Sequence, residues 1–182
     1  MLRQTAGALA LTLAAVSPAI AQQPPAAPAT ARIDPYAAFD WLIGDWYAKA
    51  GPGLLREQIS YGPGRGYIKF SVFTAPNETA AQHLHFEGMA LWNGKTKQLD
   101  YLFAVEPGSG VQESGVFRAE TDGTIVREVN FIDGKGGTGI FRQTFRRTGS
   151  DSAVTSLLRK TANGWVTTFP GSEKIELKRR PG

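Results

Sequence analysis

The sequence predicts an all-β protein: an antiparallel meander of about eight to ten strands closed into a barrel, with a short N-terminal helix at one end. Two observations predict it. Turn signals recur at close, regular intervals from residue 62 onward, among them Gly62-Pro63-Gly64, Asn93-Gly94, Asp122-Gly123, Asp133-Gly134 and Pro170-Gly171. The pieces between them are short and rich in Val, Ile, Phe, Tyr and Thr, the residues that suit a pleated, half-buried surface. A long meander hides its edges best by closing on itself.

Taken in order, the chain opens with Met1-Leu2-Arg3, an apolar run GALALTLAAV at residues 7–16, and a small-x-small site at Ala19-Ile20-Ala21. Residues 1–21 therefore read as a cleaved secretory signal, because the apolar run is far short of the ~20 residues a spanning helix needs. Residues 22–32, QQPPAAPATAR, are Pro/Ala-rich without apolar periodicity and read as a disordered tether. The domain is expected over residues 33–182, a length that suits one core.

One helix is expected. Asp34 can cap it, Pro35 suits its first turn, and Tyr36, Phe39, Leu42 and Ile43 fall on one face before Gly44 ends it. Trp41 then lies on the helix and Trp46 on the first strand, with Gly44 as the hinge. A helix plugging a barrel end needs a bulky apolar contact there, which Trp46 supplies. Strands follow near 45–50, 54–61, 66–74, 83–92, 97–105, 110–120, 124–132, 138–147, 153–160, 164–169 and 173–179, with neighbouring short segments free to merge.

Composition narrows the function. The chain has no cysteine, so disulfides and thiol chemistry are excluded. Its formal charge of +4 is mild and its bases are interleaved with acids, so no nucleic-acid partner and no membrane span are expected. There is no Gly-x-Ser-x-Gly elbow, no P-loop and no His-Glu-x-x-His. The glycine-rich Gly134–Gly139 stretch opens no helix and reads as a hairpin loop.

The opening FDWLIGDW, residues 39–46, resembles the Gly-x-Trp signature that begins the first strand of calycins, the superfamily of lipocalins and fatty-acid-binding proteins. It is closer still to a bacterial group of calycin-like domains that open with Phe-x-x-Leu-x-Gly-x-Trp, and EGMALWNGKTKQLDY at residues 87–101 is similar to the middle of that group. The resemblance gives Gly44 and Trp46 a structural role. It also implies a basic residue of the last strand, Lys178, Arg179 or Arg180, packed over the Trp46 ring. A related barrel family binds haem through a C-terminal histidine, and no histidine follows His85, so no cofactor is expected.

The chemistry-bearing residues are few. His83, His85 and Glu87 share one face if QHLHFEG is a strand, either as an acid–base set or as a polar outer face with Leu84, Phe86 and Ala90 inward. Three ligands on one strand span over 13 Å at ~3.4 Å per residue, too far for one metal ion, so no metal site is expected from this strand alone; a His83–His85 pair would need a ligand from another strand. Asp100 could pair with His85. Tyr101, Phe103, Arg127 and Arg142 lie in apolar runs and are candidate ligand contacts with His83 and His85, an inward arginine meeting a carboxylate. The alternative is a cross-strand surface ladder among Arg118, Arg127, Glu128 and Arg142.

Three readings of function remain. The first is an exported, periplasmic or secreted barrel binding a small, largely apolar molecule. The second is a cofactorless isomerase, cyclase or hydratase using His85 with Glu87 or Asp100. The third is a structural envelope protein with a filled core. The N-terminal reading makes one direct prediction: exported protein starts at Gln22, as N-terminal sequencing would show, and recovery of full-length chain from the cytoplasm alone would refute it.

Overall fold

The computed structural model describes residues 34–180 apart from 51, 52 and 78; the expected signal and tether lie outside the described residues. The strands are β1 (Gly44–Ala50), β2 (Gly53–Tyr61), β3 (Ile68–Ala75), β4 (His83–Asn93), β5 (Gln98–Val105), β6 (Val111–Ala119), β7 (Ile125–Ile132), β8 (Thr138–Gly149), β9 (Ser152–Thr161), β10 (Gly164–Thr167) and β11 (Ile175–Arg179). Each overlaps a segment the turn signals delimit. All pairings are antiparallel between sequence neighbours from β1 to β9; β11 then joins β9 to β1 and closes a ten-stranded barrel. β10 stands apart from the ring, folded back on the second half of β9.

The helix is a 3₁₀ helix, Ala37–Leu42, not an α-helix. Its buried residues Phe39 and Leu42, with Tyr36 just before it, are three apart, which is the 3₁₀ period. Asp34 Oδ1 accepts the Tyr36 N–H at 2.9 Å just before the helix, but Tyr36 holds the cap position and no side chain caps it. The chain is already extended at Ile43, so Gly44 begins the strand instead of ending the helix. The Tyr36 hydroxyl donates to the Gly66 carbonyl at 2.7 Å and accepts the Trp92 N–H at 3.1 Å, fixing the helix across the barrel end.

Trp46 is the centre of that end. It is 1% exposed, its indole N–H donates to the Leu42 carbonyl at 2.7 Å, and the Trp41 ring stands edge-on at 6.4 Å. The guanidinium of Arg179 lies over the Trp46 ring at 4.5 Å and donates to the carbonyls of Ile43 at 2.7 Å and Trp41 at 2.5 Å. Of the three bases in the last strand region, Arg179 therefore holds this position. Gly44 is required here: its φ is +149°, and a Cβ would sit 2.9 Å from Arg179 Nη1.

Above this end the core is aromatic. Phe117 stacks on Phe70 at 5.0 Å and on Phe145 at 6.5 Å, with Tyr101 edge-on at 5.2 Å. Gly115 leaves the space that Tyr101 fills; a Cβ there would overlap the Glu128 carbonyl. Phe73 departs from the expected inward placement. The β3–β4 register shifts between Val72 and Phe73, and Phe73 lies on the outer face beside Arg56 and Tyr47. Among the described residues no helix is long and apolar enough to cross a membrane.

Trp46→Ala is expected to destabilise the fold by about 3–5 kcal/mol, the range for deleting a large buried aromatic. The denaturant midpoint reads it out, and an unchanged midpoint would contradict the role given to Trp46.

Candidate functional site

Two features of the barrel can hold or act on a small molecule: an opening in its wall and a polar cluster in its interior. The opening follows from strand length. β11 has only five residues, and it pairs with β1 only at Trp46↔Arg179 and Tyr47↔Lys178. Beyond those pairs Ala48 and Lys49 of β1 share a space with Ile175 and Glu176 of β11 and with Phe169, Pro170 and Gly171 of the segment that links β10 to β11. That segment is fixed to β9 by Ser172, which is fully buried. Its hydroxyl accepts the N–H groups of Thr168 and Phe169, and its carbonyl accepts the Leu157 N–H at 2.6 Å. A cleft of about 780 Å³ is left between the two sides.

Its lining is apolar with charged edges. Tyr47, Leu54, Phe169 and Ile175 are its large apolar side chains, and Lys49, Lys174, Glu176 and Lys178 are its charged ones, Lys174 lying 3.5 Å from Glu176. An adjoining hollow shares Tyr47, Leu54 and Lys178 and adds Arg180, which donates to the Tyr47 hydroxyl at 3.0 Å.

The interior cluster comes from five strands, each giving one polar residue to an otherwise apolar inner face: Glu57, Glu113, Arg127, Gln143 and Thr155, all buried. Arg127 Nη2 donates to Glu113 Oε2 at 3.1 Å, and its guanidinium lies 5.5 Å from the Tyr101 ring and 5.3 Å from that of Phe103. Gln143 Nε2 donates to Thr155 Oγ1 at 3.1 Å. Arg127 Nε has no partner among the described residues. Burial pushes the Glu57 carboxyl up to about 7, against the opposing pull of the Arg127 charge and the Gln143 amide. Burial likewise raises the Tyr101 phenol.

The residues that the sequence singled out divide between interior and surface. Arg127, Tyr101 and Phe103 meet inside. Arg142 does not: it lies on the outer wall, stacked on Trp165 at 4.4 Å and donating to Glu128 at 2.8 Å. Glu128 also accepts from Arg118 at 3.3 Å, so the surface ladder forms without Arg127. His83 and His85 do come together, but through Glu106 and not Glu87. Glu106 reaches back from the end of β5 to His83 Nε2 at 2.8 Å and His85 Nδ1 at 2.5 Å. Those two hydrogen bonds, His83 foremost, hold the Glu106 carboxyl below its usual range. Glu87 is engaged elsewhere, 2.8 Å from Lys69 Nζ and accepting from Ser71. Asp100 is exposed and accepts from Asn93, so neither carboxylate is a partner of His85. Among the described residues no three His, Asp or Glu side chains are grouped to hold a metal ion.

Glu57, Glu113, Thr155 and Ser172 are not among the residues that the sequence singled out. No family model matches the chain, and no curated protein matches it.

Because folding raises the Glu57 pKa, the folded chain binds more protons than the unfolded one between the ordinary carboxylate range and about 7. Stability from this group is intact at acidic pH and is lost as pH rises toward and through 7. Glu57→Gln is expected to abolish that loss, so the stability difference between wild type and variant should change by on the order of 3 kcal/mol from about pH 4 to about pH 8. Denaturation midpoints across pH decide this; parallel curves would show that Glu57 is not the titrating group.

Proposed function

We propose that this chain is an exported, calycin-like carrier that holds a small, largely apolar molecule with an anionic head in the cleft between β1 and the β10–β11 segment. The observation that carries this reading is the cleft itself. Its volume of about 780 Å³ lies in the ~300–1,000 Å³ range of small-molecule sites. The apolar lining suits the body of such a ligand, and Lys178 with Arg180 at one margin suits a carboxylate or similar anion. The calycin assignment is supported by Gly44 and Trp46 at the start of β1 and by the Arg179 cation over the Trp46 ring.

The interior does not favour a carboxylate. Arg127 is already paired with Glu113, and Glu57 lies in the same cluster, so an anionic head there would be the third acid beside one base. The anionic end is therefore assigned to the cleft margin.

Native mass spectrometry of the protein purified from its own host should reveal a co-purifying small molecule. With decanoate as a probe, Lys178→Glu should weaken binding about tenfold, equivalent to about 1.4 kcal/mol. Unchanged decanoate affinity after that charge reversal, or no decanoate binding by wild type, would reject the reading.

A further inference from the structure

The inner wall of the cleft backs onto the polar cluster. Ile175, which lines the cleft, is the register partner of Thr155. Ala48, which also lines it, pairs with Leu55, two residues along β2 from Glu57. Side chains two apart on a strand share a face, so Glu57 follows Leu55 on the interior side. The alanine side chain is a single methyl group, so this part of the partition is thin.

The cluster behind it has unused hydrogen-bonding capacity. Arg127, whose side chain is 10% exposed, presents its Nε–H to no acceptor among the described residues. Thr155 Oγ1 accepts from Gln143, which leaves its own O–H free to donate. Glu57 is a buried carboxyl that can accept. A buried donor without a partner is costly, so such a site gains from a group that both accepts and donates. A ligand hydroxyl does both. A carboxylate would add a third acid, and an ammonium would face the Arg127 charge.

We propose that the Glu57–Arg127–Thr155 cluster is an interior subsite for a hydroxyl group at the far end of the ligand. The proposal rests on the cleft reading: the anionic head stays at Lys178 and Arg180, the apolar chain passes Ala48 and Ile175, and the terminal hydroxyl accepts from Arg127 and donates to Glu57. The preferred ligand class is thus an ω-hydroxylated, apolar-chain acid, and the cluster reads chain length as well as polarity.

Calorimetric titration of the exported protein with straight-chain carboxylates from octanoate to tetradecanoate, each beside its ω-hydroxy counterpart, tests this. At one chain length the hydroxy acid should bind about tenfold more tightly than the plain acid, the worth of one buried hydrogen bond. Glu57→Leu and, independently, Thr155→Val should erase that gain while leaving the plain acid within about twofold of wild type, with thermal melting confirming that each variant is folded. Hydroxy acids that bind no better than plain acids at every length would overturn the subsite and leave the cleft reading standing. A gain that survives both substitutions would overturn it too, by placing the hydroxyl elsewhere. If no acid of either series binds, the cleft reading fails and the subsite fails with it.

Discussion

The closure of the barrel rests on the contact between Arg179 and Trp46. β1 and β11 meet over only two residue pairs, too few for ladder hydrogen bonds alone to hold the first and last parts of the domain together. The guanidinium compensates. It caps the carbonyls of Trp41 and Ile43 at the end of the 3₁₀ turn, covers the indole face, and so ties helix, first strand and last strand into one junction. A cation over an indole is worth roughly 0.5–2 kcal/mol, and charge-assisted hydrogen bonds to buried carbonyls add to it. Because this junction closes one end, the seam at the other end is free to gape. The cleft and the closure are thus two consequences of one short strand.

The interior balances two demands. A ten-stranded ring is wide, and its lower part is filled by a stack built on Phe117. Higher up, the volume is taken by Arg127 and its partners. A buried ion pair is a poor source of stability. Here Arg127 also spreads over Tyr101 and Phe103, so its guanidinium keeps aromatic contact where it loses water. Placing Glu57 nearby makes the interior neutral when that carboxyl is protonated and anionic when it is not.

The fold was legible in the sequence because turns and strand propensities are local. Each strand overlaps a segment marked by Gly, Pro, Asn or Asp, and the boundaries differ by only a few residues. The helix type was less legible: Tyr36, Phe39 and Leu42 fit both helical periods, and burial of residues three apart decided for 3₁₀. The interior cluster was legible only in part. Arg127 stood out in TIVREVNFI and Gln143 in GIFRQTFRR, but Glu57, Glu113 and Thr155 each look like an ordinary polar residue in a half-buried strand. Their common signal is parity, as in Leu55-Glu57-Ile59, Ala153-Thr155-Leu157 and Phe141-Gln143-Phe145. A single polar residue flanked on its own face by apolar ones points inward, and five such strands make a cluster. The pairing of His85 with Glu106 was out of reach, because it depends on the β3–β4 bulge and on a turn conformation at Glu106, whose φ is +46°.

β9 carries two different neighbours along one edge, β11 beside its first half and β10 beside its second. The residues between those neighbours form one flank of the opening while contributing nothing to the ring's ladder. Insertions or deletions there would resize the chamber and leave the strand register and the closed end untouched. Such an arrangement separates what must be preserved for folding from what can drift. A lineage of these barrels can therefore vary the opening through one surface segment, with Ser172 as the point from which that segment is hung.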